Sequence, residues 1–416
     1  MRLLFLNHNL RDHGTWFRAF HLARELVRNG HDVTLLTASP HHWYRVAEEE
    51  VDGVCVVETP SWNPVIGRDD GWGPLDIAYR LGRVLLQPFD LVYAFAHPPT
   101  VYAPAWLART LRRKPVVVDW CDTYRDGIFP QREFIRAYDG ARGWRLGAQR
   151  RAERVECGLE RSILRMADGA TVISRELEEA ALNEGISPKR LLRYPCGANL
   201  DAISPLDKRV CRRQLGIPDD GPFLGYVANY NPDEKFFLKA VGQAFRDYPS
   251  ARLIARCPPF TRFLVEENGL AGRIIELGRQ PFERMAAVLG AADVLALPLE
   301  DNGSNRGRWP NKFGDYLAAG RPIATNFIGD VAEYFPPPES AQAIGIAAPC
   351  RAELYAEAIS DLLAHPERWG PMGAAGYHLA ETRLNWRHLA AIVEEFLRGF
   401  LGSGAGRLPS RSTQGA

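Results

Sequence analysis

Seven cysteines in 416 residues, none forming a C-x-x-C pair, leave little from which to build a disulfide scaffold or a zinc site. They stand scattered at 55, 121, 157, 196, 211, 257 and 350, a pattern that suits a reducing cytosol. Net charge is lacking too: the formal value of +1 gives no global reason to expect nucleic acid as a partner. No apolar run approaches about eighteen uninterrupted residues, so no membrane-spanning helix is expected. Met1-Arg2 leads directly into LLFLN, too short for a signal peptide and already readable as a strand. There is no G-x-x-x-x-G-K-[ST] phosphate loop, no G-x-G-x-x-G fingerprint after the first strand and no G-x-S-x-G elbow. Fixed-period repeats are absent as well. What is present is ordinary for a soluble enzyme of two or three domains, with 46% apolar and 24% charged residues.

Along the chain, short β-rich runs alternate with helical periods. Strands read at Arg2–Leu6, Asp32–Thr37, Val54–Glu58, Asp90–Phe95, Val116–Asp119 and Ala170–Ile173, with helices fitting at 75–86, 100–112 and 131–167. A polar loop, Asn7 to Gly14, follows the first strand, and Thr15 can cap the next helix. YPCGANLDAISP (Tyr194 to Pro205) holds two prolines and a glycine without strong periodicity, and marks a domain boundary. The alternation then restarts with strands at Phe223–Ala228, Arg252–Ala255, Ile274–Leu277 and Asp293–Pro298. Two αβ cores in tandem follow, each a parallel sheet covered on both faces. Their expected limits are 1–200 and 201–375, with a terminal helix over 376–401 returning to the first core and a tail over 402–416 disordered by composition.

The chain is organised around LEDNGSNRGRWPNKFGDYLAAGRPIAT, Leu299 to Thr325. A strand runs into a polar loop, the loop ends at Trp309-Pro310, and a helix to Ala319 is closed by Gly320. In an open parallel sheet, ligands bind where strands end and helices begin. Lys312 places a cation in the first turn of that helix, which is locally unfavourable and which an anionic ligand would relieve. The plainer alternative is an ion pair with Asp315, one turn on. Other loops at strand ends are Asn229 to Lys235, Cys257-Pro258-Pro259 and Arg279-Gln280-Pro281. His41-His42 points to opposite faces of an extended chain and ligates poorly together, while Asp69-Asp70 and Asp219-Asp220 sit in turn-like surroundings.

From Arg142 to Arg165 a helical stretch carries Arg142, Arg145, Arg150, Arg151, Arg154, Arg161 and Arg165, with Trp144, Leu146 and Leu159 among them. Such a helix can lie on an anionic membrane. Glu153, Glu156 and Glu160 are interleaved, however, and mixed signs at helical spacing ordinarily mark a solvated face.

These pieces, in this order, resemble the retaining nucleotide-sugar enzymes of glycosyltransferase family 4. RNGHDVTLLT (Arg28 to Thr37), ADGATVIS (Ala167 to Ser174), YPCGANLD (Tyr194 to Asp201), AADVLALP (Ala291 to Pro298) and PNKFGDYLAAGRPIAT carry the likeness over about residues 1 to 400. The resemblance implies a GT-B fold, two Rossmann-like αβ domains facing each other across a cleft. It implies a donor site drawing on Gly14, Thr15, Asn229, Lys235, Arg279, Gly303, Ser304, Asn305, Asn311, Lys312, Phe313 and Asp315, and an acceptor side at His97, Asp119, Cys121 and Asp122. Asp122, Lys235 and Lys312 would be the catalytic groups, with no metal and no cofactor beyond the nucleotide-diphosphate-sugar co-substrate. The acceptor would be a glycan, a lipid-linked sugar or a small molecule, in the cytoplasm or peripherally at the inner membrane face, with nucleic acid not a partner. Trp62, Trp72 and the segment Trp120 to Tyr138 are places for acceptor contacts, since indoles stack on sugar rings, although packing explains them equally.

Three departures stand out. Asp315 matches the second acid of the family's E-x7-E motif, linked to the donor ribose, but the first falls at Gly307. Asn229 replaces a usual basic residue, leaving Lys235 to act with Lys312, Arg306 or Arg308; Cys121 replaces a usual histidine. A non-catalytic GT-B partner protein and a nucleotide-sugar epimerase are therefore the alternative functions.

Overall fold

Runs of leucine, valine and isoleucine buried on both faces seed two parallel sheets, as expected where helices cover a sheet from both sides. The computed structural model describes residues 1–64, 67–68, 71–121, 144–278 and 280–401. They fall into two compact units, Met1–Pro195 with the chain from Trp386 onward, and Cys196–Asn385.

The first unit contains β1 (Arg2–Leu10), α1 (Trp16–Arg28), β2 (Asp32–Ala38), β3 (Ala47–Val51), β4 (Val54–Thr59), β5 (Trp62–Asn63), β6 (Gly67–Arg68), α2 (Pro74–Leu86), β7 (Leu91–Phe95), α3 (Pro99–Thr110), β8 (Val116–Trp120), α4 (Trp144–Met166), β9 (Gly169–Val172), α5 (Arg175–Asn183) and β10 (Leu191–Arg193). Its main sheet has the order β10-β9-β8-β7-β1-β2-β4-β3 and is parallel except for β3. Phe5 of β1 stands opposite Leu35 on one side and Tyr93 on the other. β1 runs on to Leu10, so Asn7 and Asn9, expected in a loop, are strand residues. The edge strand β3, AEEEV, was not legible because its glutamates suit only a solvated edge.

The second unit contains α6 (Lys208–Leu215), β11 (Phe223–Val227), α7 (Glu234–Ala244), β12 (Arg252–Arg256), α8 (Arg262–Glu267), β13 (Ile274–Glu276), α9 (Met285–Gly290), β14 (Val294–Leu297), α10 (Gly303–Gly307), α11 (Lys312–Ala318), β15 (Ile323–Asn326), β16 (Gly345–Ala348), α12 (Ala352–Ala364) and α13 (Trp369–Thr382). The sheet order is β13-β12-β11-β14-β15-β16, every pair parallel. The order reverses direction between β11 and β14, the switch point where ligands bind in doubly wound sheets.

The division lies a few residues before the expected 200/201, because Cys196–Asn199 packs with the second unit. There Ala198 N–H donates to Leu384 O, and a Cβ on Gly314 would come 2.9 Å from Ala198 N. The returning segment likewise starts at Trp386 rather than 376, since α13 packs on α11 up to its end, with Gly376 against Leu317. α14 (Trp386–Arg398) buries Trp386, Leu389, Val393 and Leu397 in the first unit, and Glu394 meets Asn29 and His31 at 2.8 and 3.0 Å. The tail 402–416, Asp69-Asp70, Arg279 and the expected helical turns before Trp144 lie outside the described residues.

One buried ionic network ties the first unit together. Arg18 of α1 donates to both carboxylate oxygens of Asp119 on β8, at 2.7 and 3.0 Å. Thr171 Oγ1 donates to the same carboxylate at 2.6 Å. The guanidinium lies 3.7 Å from the Tyr194 ring centroid and donates to the carbonyls of Tyr194 and Pro195, the last residues before the division. Removing one partner of a buried pair strands the other's charge. Asp119→Ala is therefore expected to lower unfolding free energy by about 3–5 kcal/mol in a urea titration. A loss of under about 1 kcal/mol, the range of an exposed pair, would show that the pair does not anchor the fold.

Candidate functional site

At the switch point of the second unit the chain leaves β11 through Ala228–Asp233 and leaves β14 through Pro298–Asn302. The stretch after β14, expected as one loop, contains α10. GSNRG has poor helix propensity, but the Asn302 side chain caps it by accepting from Asn305 N–H at 2.9 Å. α11 follows and is fixed to the sheet by Tyr316, whose hydroxyl donates to Ala296 O at 3.2 Å and accepts from Val227 N–H at 3.0 Å. At seven residues α11 carries only a small dipole, so the positive character here comes from side chains rather than from the helix end.

Lys312 is the centre of that character. It does not pair with Asp315; its ammonium turns back over the Tyr226 ring, 4.9 Å from the centroid. Among the described residues Nζ makes no hydrogen bond and no ion pair. Burial first, and then the nearby Arg308 guanidinium, push the ammonium down to about 8, against a smaller opposing pull from Asp233 and Cys257. Cys257, at the carboxyl end of β12, is itself pushed up to about 11, mainly by burial. Asp315, one turn on from Lys312, makes no ion pair with it, and burial alone pushes its carboxyl up to about 7.

Asp233 supplies the counter-charge in this cluster. It precedes α7 in an N-cap position, yet its side chain caps nothing. With only 4% of its surface exposed, its carboxylate instead accepts from Asn305 Nδ2 at 3.1 and 3.3 Å and lies 3.9 Å from Arg308 Nη2. Burial raises its pKa, while Arg308, Asn305 and Lys312 work the other way. Asn305 also donates to Glu300 O at 2.8 Å, and Arg308 donates to Asn305 Oδ1 at 2.5 Å and to Tyr230 OH at 2.7 Å. Arg308 Nε is buried with no partner. One carboxylate thus faces two cations, and the local excess is positive.

The residues singled out from sequence are placed unevenly. Lys235 is exposed in the first turn of α7, close enough to Glu300 to stabilise that carboxylate. Gly303 and Ser304 are half-buried in α10, and Asn311 is exposed before α11. Asn229 is engaged as acceptor to Arg256 Nη1 at 2.8 Å, and Arg306 pairs with Asp301 at 2.5 Å, leaving Arg308 as the loop arginine in the cluster. The Phe313 side chain is buried among Trp309, Tyr334 and Phe335. Asp233, Tyr226 and Glu300 were missed. Asn-Pro-Asp before a helix reads as a cap, and nothing local signals that the carboxylate turns away.

In the first unit, Gly14 has φ +52°, and any Cβ there would overlap the Asn9 side chain. Thr15 Oγ1 donates to Asn7 Oδ1 at 2.6 Å and its N–H donates to Asn9 Oδ1 at 2.7 Å. His97, after β7, is buried with Nε2 3.9 Å from Glu156. Asp119, placed on the acceptor side by resemblance, is held instead by Arg18 and Thr171, and Cys121 is buried. Asp122 lies outside the described residues. Trp62 packs 5.8 Å from the Tyr44 ring. Among the described residues no three histidine, cysteine, aspartate or glutamate side chains converge to hold a metal ion.

The family model for the "Glycosyl transferase 4-like domain" matches residues 13–197, and that for "Glycosyl transferases group 1" matches residues 221–365. A D-inositol 3-phosphate glycosyltransferase from Nocardia farcinica is 26% identical over 278 residues, covering 60% of this chain and 58% of its own length. The protein of the same name from Geodermatophilus obscurus is 32% identical over 146 residues, 34% of this chain and 29% of its own. The matched segments thus span less than two thirds of either relative. Among solved structures, sucrose-phosphate synthase from Thermosynechococcus elongatus superposes with TM-score 0.69 at 20% identity, covering 95% of this chain and 98% of that one. Anabaena HepE, solved in complex with UDP-glucose, gives 0.67 at 16% identity over 96% and 99%. At such identities these structures show the fold, which is GT-B. With both halves matched in chain order, the chain belongs to the group 1 glycosyl transferases, with a glycosyl transferase 4-like domain in its N-terminal half.

Proposed function

We propose that this chain moves a sugar from a nucleotide-diphosphate-sugar donor to a hydroxyl of a glycan, lipid-linked or small-molecule acceptor, retaining the anomeric configuration. The observation that carries the donor half is the Lys312 ammonium, half-buried, without an ion pair or hydrogen bond among the described residues and set at the switch point beside Arg308. A diphosphate satisfies such a group, and mobile water does so less well. The names of the relatives support the same reading, HepE having been solved with UDP-glucose.

In this reading the bond from the anomeric carbon to the phosphate oxygen breaks and the nucleoside diphosphate leaves with the electron pair. Lys312, Arg308 and the exposed Lys235 meet the charge that develops on it. The acceptor oxygen attacks the same face and passes its proton to the departing phosphate oxygen. Asp315, whose carboxyl burial pushes up to about 7, is the group proposed to exchange a hydrogen bond with a ribose hydroxyl. On the acceptor side, His97 and Asp122 are the groups proposed to orient the attacking hydroxyl. Gly307, standing where the family has an acid, favours a second reading, a GT-B protein that binds a donor without turning it over. Formation of a glycosylated acceptor separates the two, and free nucleotide released without any acceptor would instead mark an epimerase.

Donor binding is testable with a thermal-shift panel of UDP-, GDP- and ADP-sugars at millimolar concentration. At a hundred times Kd, ligand adds about 2.7 kcal/mol of stability, so at least one base series should raise the melting temperature clearly. No shift with any series would end the donor reading.

Lys312→Met should weaken binding of the shifting nucleotide roughly ten- to a hundredfold, the range of a lost charge-assisted hydrogen bond, while the melting temperature holds or rises. A mutant that loses stability and keeps affinity would make the lysine structural.

The pH dependence has two opposite signs. With the folded pKa at about 8 and the ordinary lysine value at 10.5, the unfolded chain holds more protons between those limits. This group's contribution to unliganded stability therefore rises with pH across that window. Affinity for the nucleotide diphosphate should fall over the same window, as the ammonium is lost. Isothermal titration with UDP from pH 7 to 10, on wild type and Lys312→Met, reads the second effect; an affinity flat in wild type and unchanged in the mutant would remove Lys312 from the donor site.

A further inference from the structure

Among the described residues, the exposed side of the basic helix that reads from sequence as a mixed-sign solvated face is not mixed. On α4, Glu156 and Glu160 are buried. Glu160 accepts from Trp120 Nε1 at 2.8 Å, and Glu156 faces His97. The side chain of Glu153 lies outside the described set. The exposed stripe, at spacings of three and four residues, is Arg151, Arg154, Val155, Gly158, Arg161 and Arg165. No described acid lies on it.

The stripe continues onto α3. Tyr102, Trp106 and Arg109 follow one another along one side of that helix. Tyr102 OH bonds Ser162 Oγ at 2.8 Å, and Arg109 Nη2 meets Asp168 at 2.9 Å, so Trp106 sits between two residues that reach the end of α4. Trp106 is 48% exposed, and Leu111, just past α3, is 63% exposed. Arg112 donates to Val84 O at 3.0 Å and to Leu85 O, which brings the end of α3 against the end of α2, where Leu86 is 86% exposed. Arg113 is exposed beside Leu111, and Lys114 follows half-buried. The two acids at the rim, Asp168 and Glu184, are each held by an arginine, Arg109 and Arg165, the second at 3.7 Å.

We infer that this face of the first unit, formed by the outer sides of α4 and α3 and the end of α2, docks on an anionic phospholipid bilayer. The arginines meet lipid phosphates, and Trp106, Leu111 and Leu86 enter the boundary between headgroups and acyl chains. Cations interleaved with exposed indole and leucine are the composition of an interfacial surface. A nucleic-acid groove has the same use for the arginines and none for leucines this exposed. A partner protein would need complementary carboxylates and a pocket, neither of which a basic stripe on a convex helix specifies. Among the described residues no helix is long and apolar enough to cross a membrane, so attachment through this face would be peripheral. The inference stands apart from the donor cations, Lys312, Arg308 and Lys235, which lie in the second unit.

The test is co-sedimentation of the full chain with vesicles of phosphatidylcholine alone and of phosphatidylcholine with phosphatidylglycerol. Binding should require the anionic lipid and fall as salt is raised. Arg151→Glu with Arg161→Glu should cut the partition coefficient at least roughly tenfold. Arg151→Gln with Arg161→Gln provides a milder second pair should the reversal disturb folding, which melting temperature reports. Trp106→Ala should lower partition while leaving its salt dependence in place. Nucleotide affinity should be unchanged in every variant, so failure here and failure of the donor reading are distinguishable. No partition, equal partition on neutral vesicles, or no effect of either arginine pair would overturn the inference. Heparin binding as tight as vesicle binding, with Trp106→Ala silent, would assign the face to soluble polyanions and overturn it too.

Discussion

A half-buried lysine ammonium that faces an aromatic ring in place of a carboxylate is the constraint on which the candidate site depends. Tyr226 stabilises the cation through its ring face, but a cation–π contact is worth only about 0.5–2 kcal/mol, less than full solvation. Arg308 beside it adds repulsion, and the buried carboxylate of Asp233 is shared with Asn305 and that same arginine. The arrangement is held in place by fixed bonds: Tyr316 to β11 and β14, the Asn302 cap on α10, and the Gly314 backbone against Ala198. On the proposed reading, an anionic ligand at the switch point supplies the partner that Lys312 lacks among the described residues.

The same physics runs differently in the first unit. There the buried cation, Arg18, has a full set of acceptors in Asp119 and the carbonyls of Tyr194 and Pro195, together with the Tyr194 ring. Arg18 is thus a satisfied buried ion, whereas Lys312 has no ion pair or hydrogen bond among the described residues.

Much of the architecture was legible in the sequence because its causes are local. Continuous apolar runs such as Val116–Val118 and Val294–Leu297 announce buried parallel strands, and glycines and prolines between them announce turns. What was hidden depends on partners far along the chain. Arg18 and Asp119 are 101 residues apart, and nothing near either shows that they pair. Asp233 and Asn305, 72 residues apart, turn an apparent helix cap into part of the site. α10 was hidden because one capping asparagine outweighs two glycines, and the charge pattern of α4 misled because Glu156 and Glu160 face inward. Lys312 itself was legible, since a cation early in a helix after a loop at a strand end is a local conflict. Its release from Asp315 was not.

The claim that a donor anion completes this site rests on a proton. Anion binding at Lys312 must restore the ammonium that burial has pushed down to about 8. Calorimetric titration of UDP at pH 8, repeated in buffers of different ionisation enthalpy, counts protons directly. Wild type should take up a substantial fraction of a proton per site, and Lys312→Met should lose that uptake along with most of its affinity. No proton uptake in wild type, together with undiminished affinity in Lys312→Met, would contradict a phosphate at Lys312.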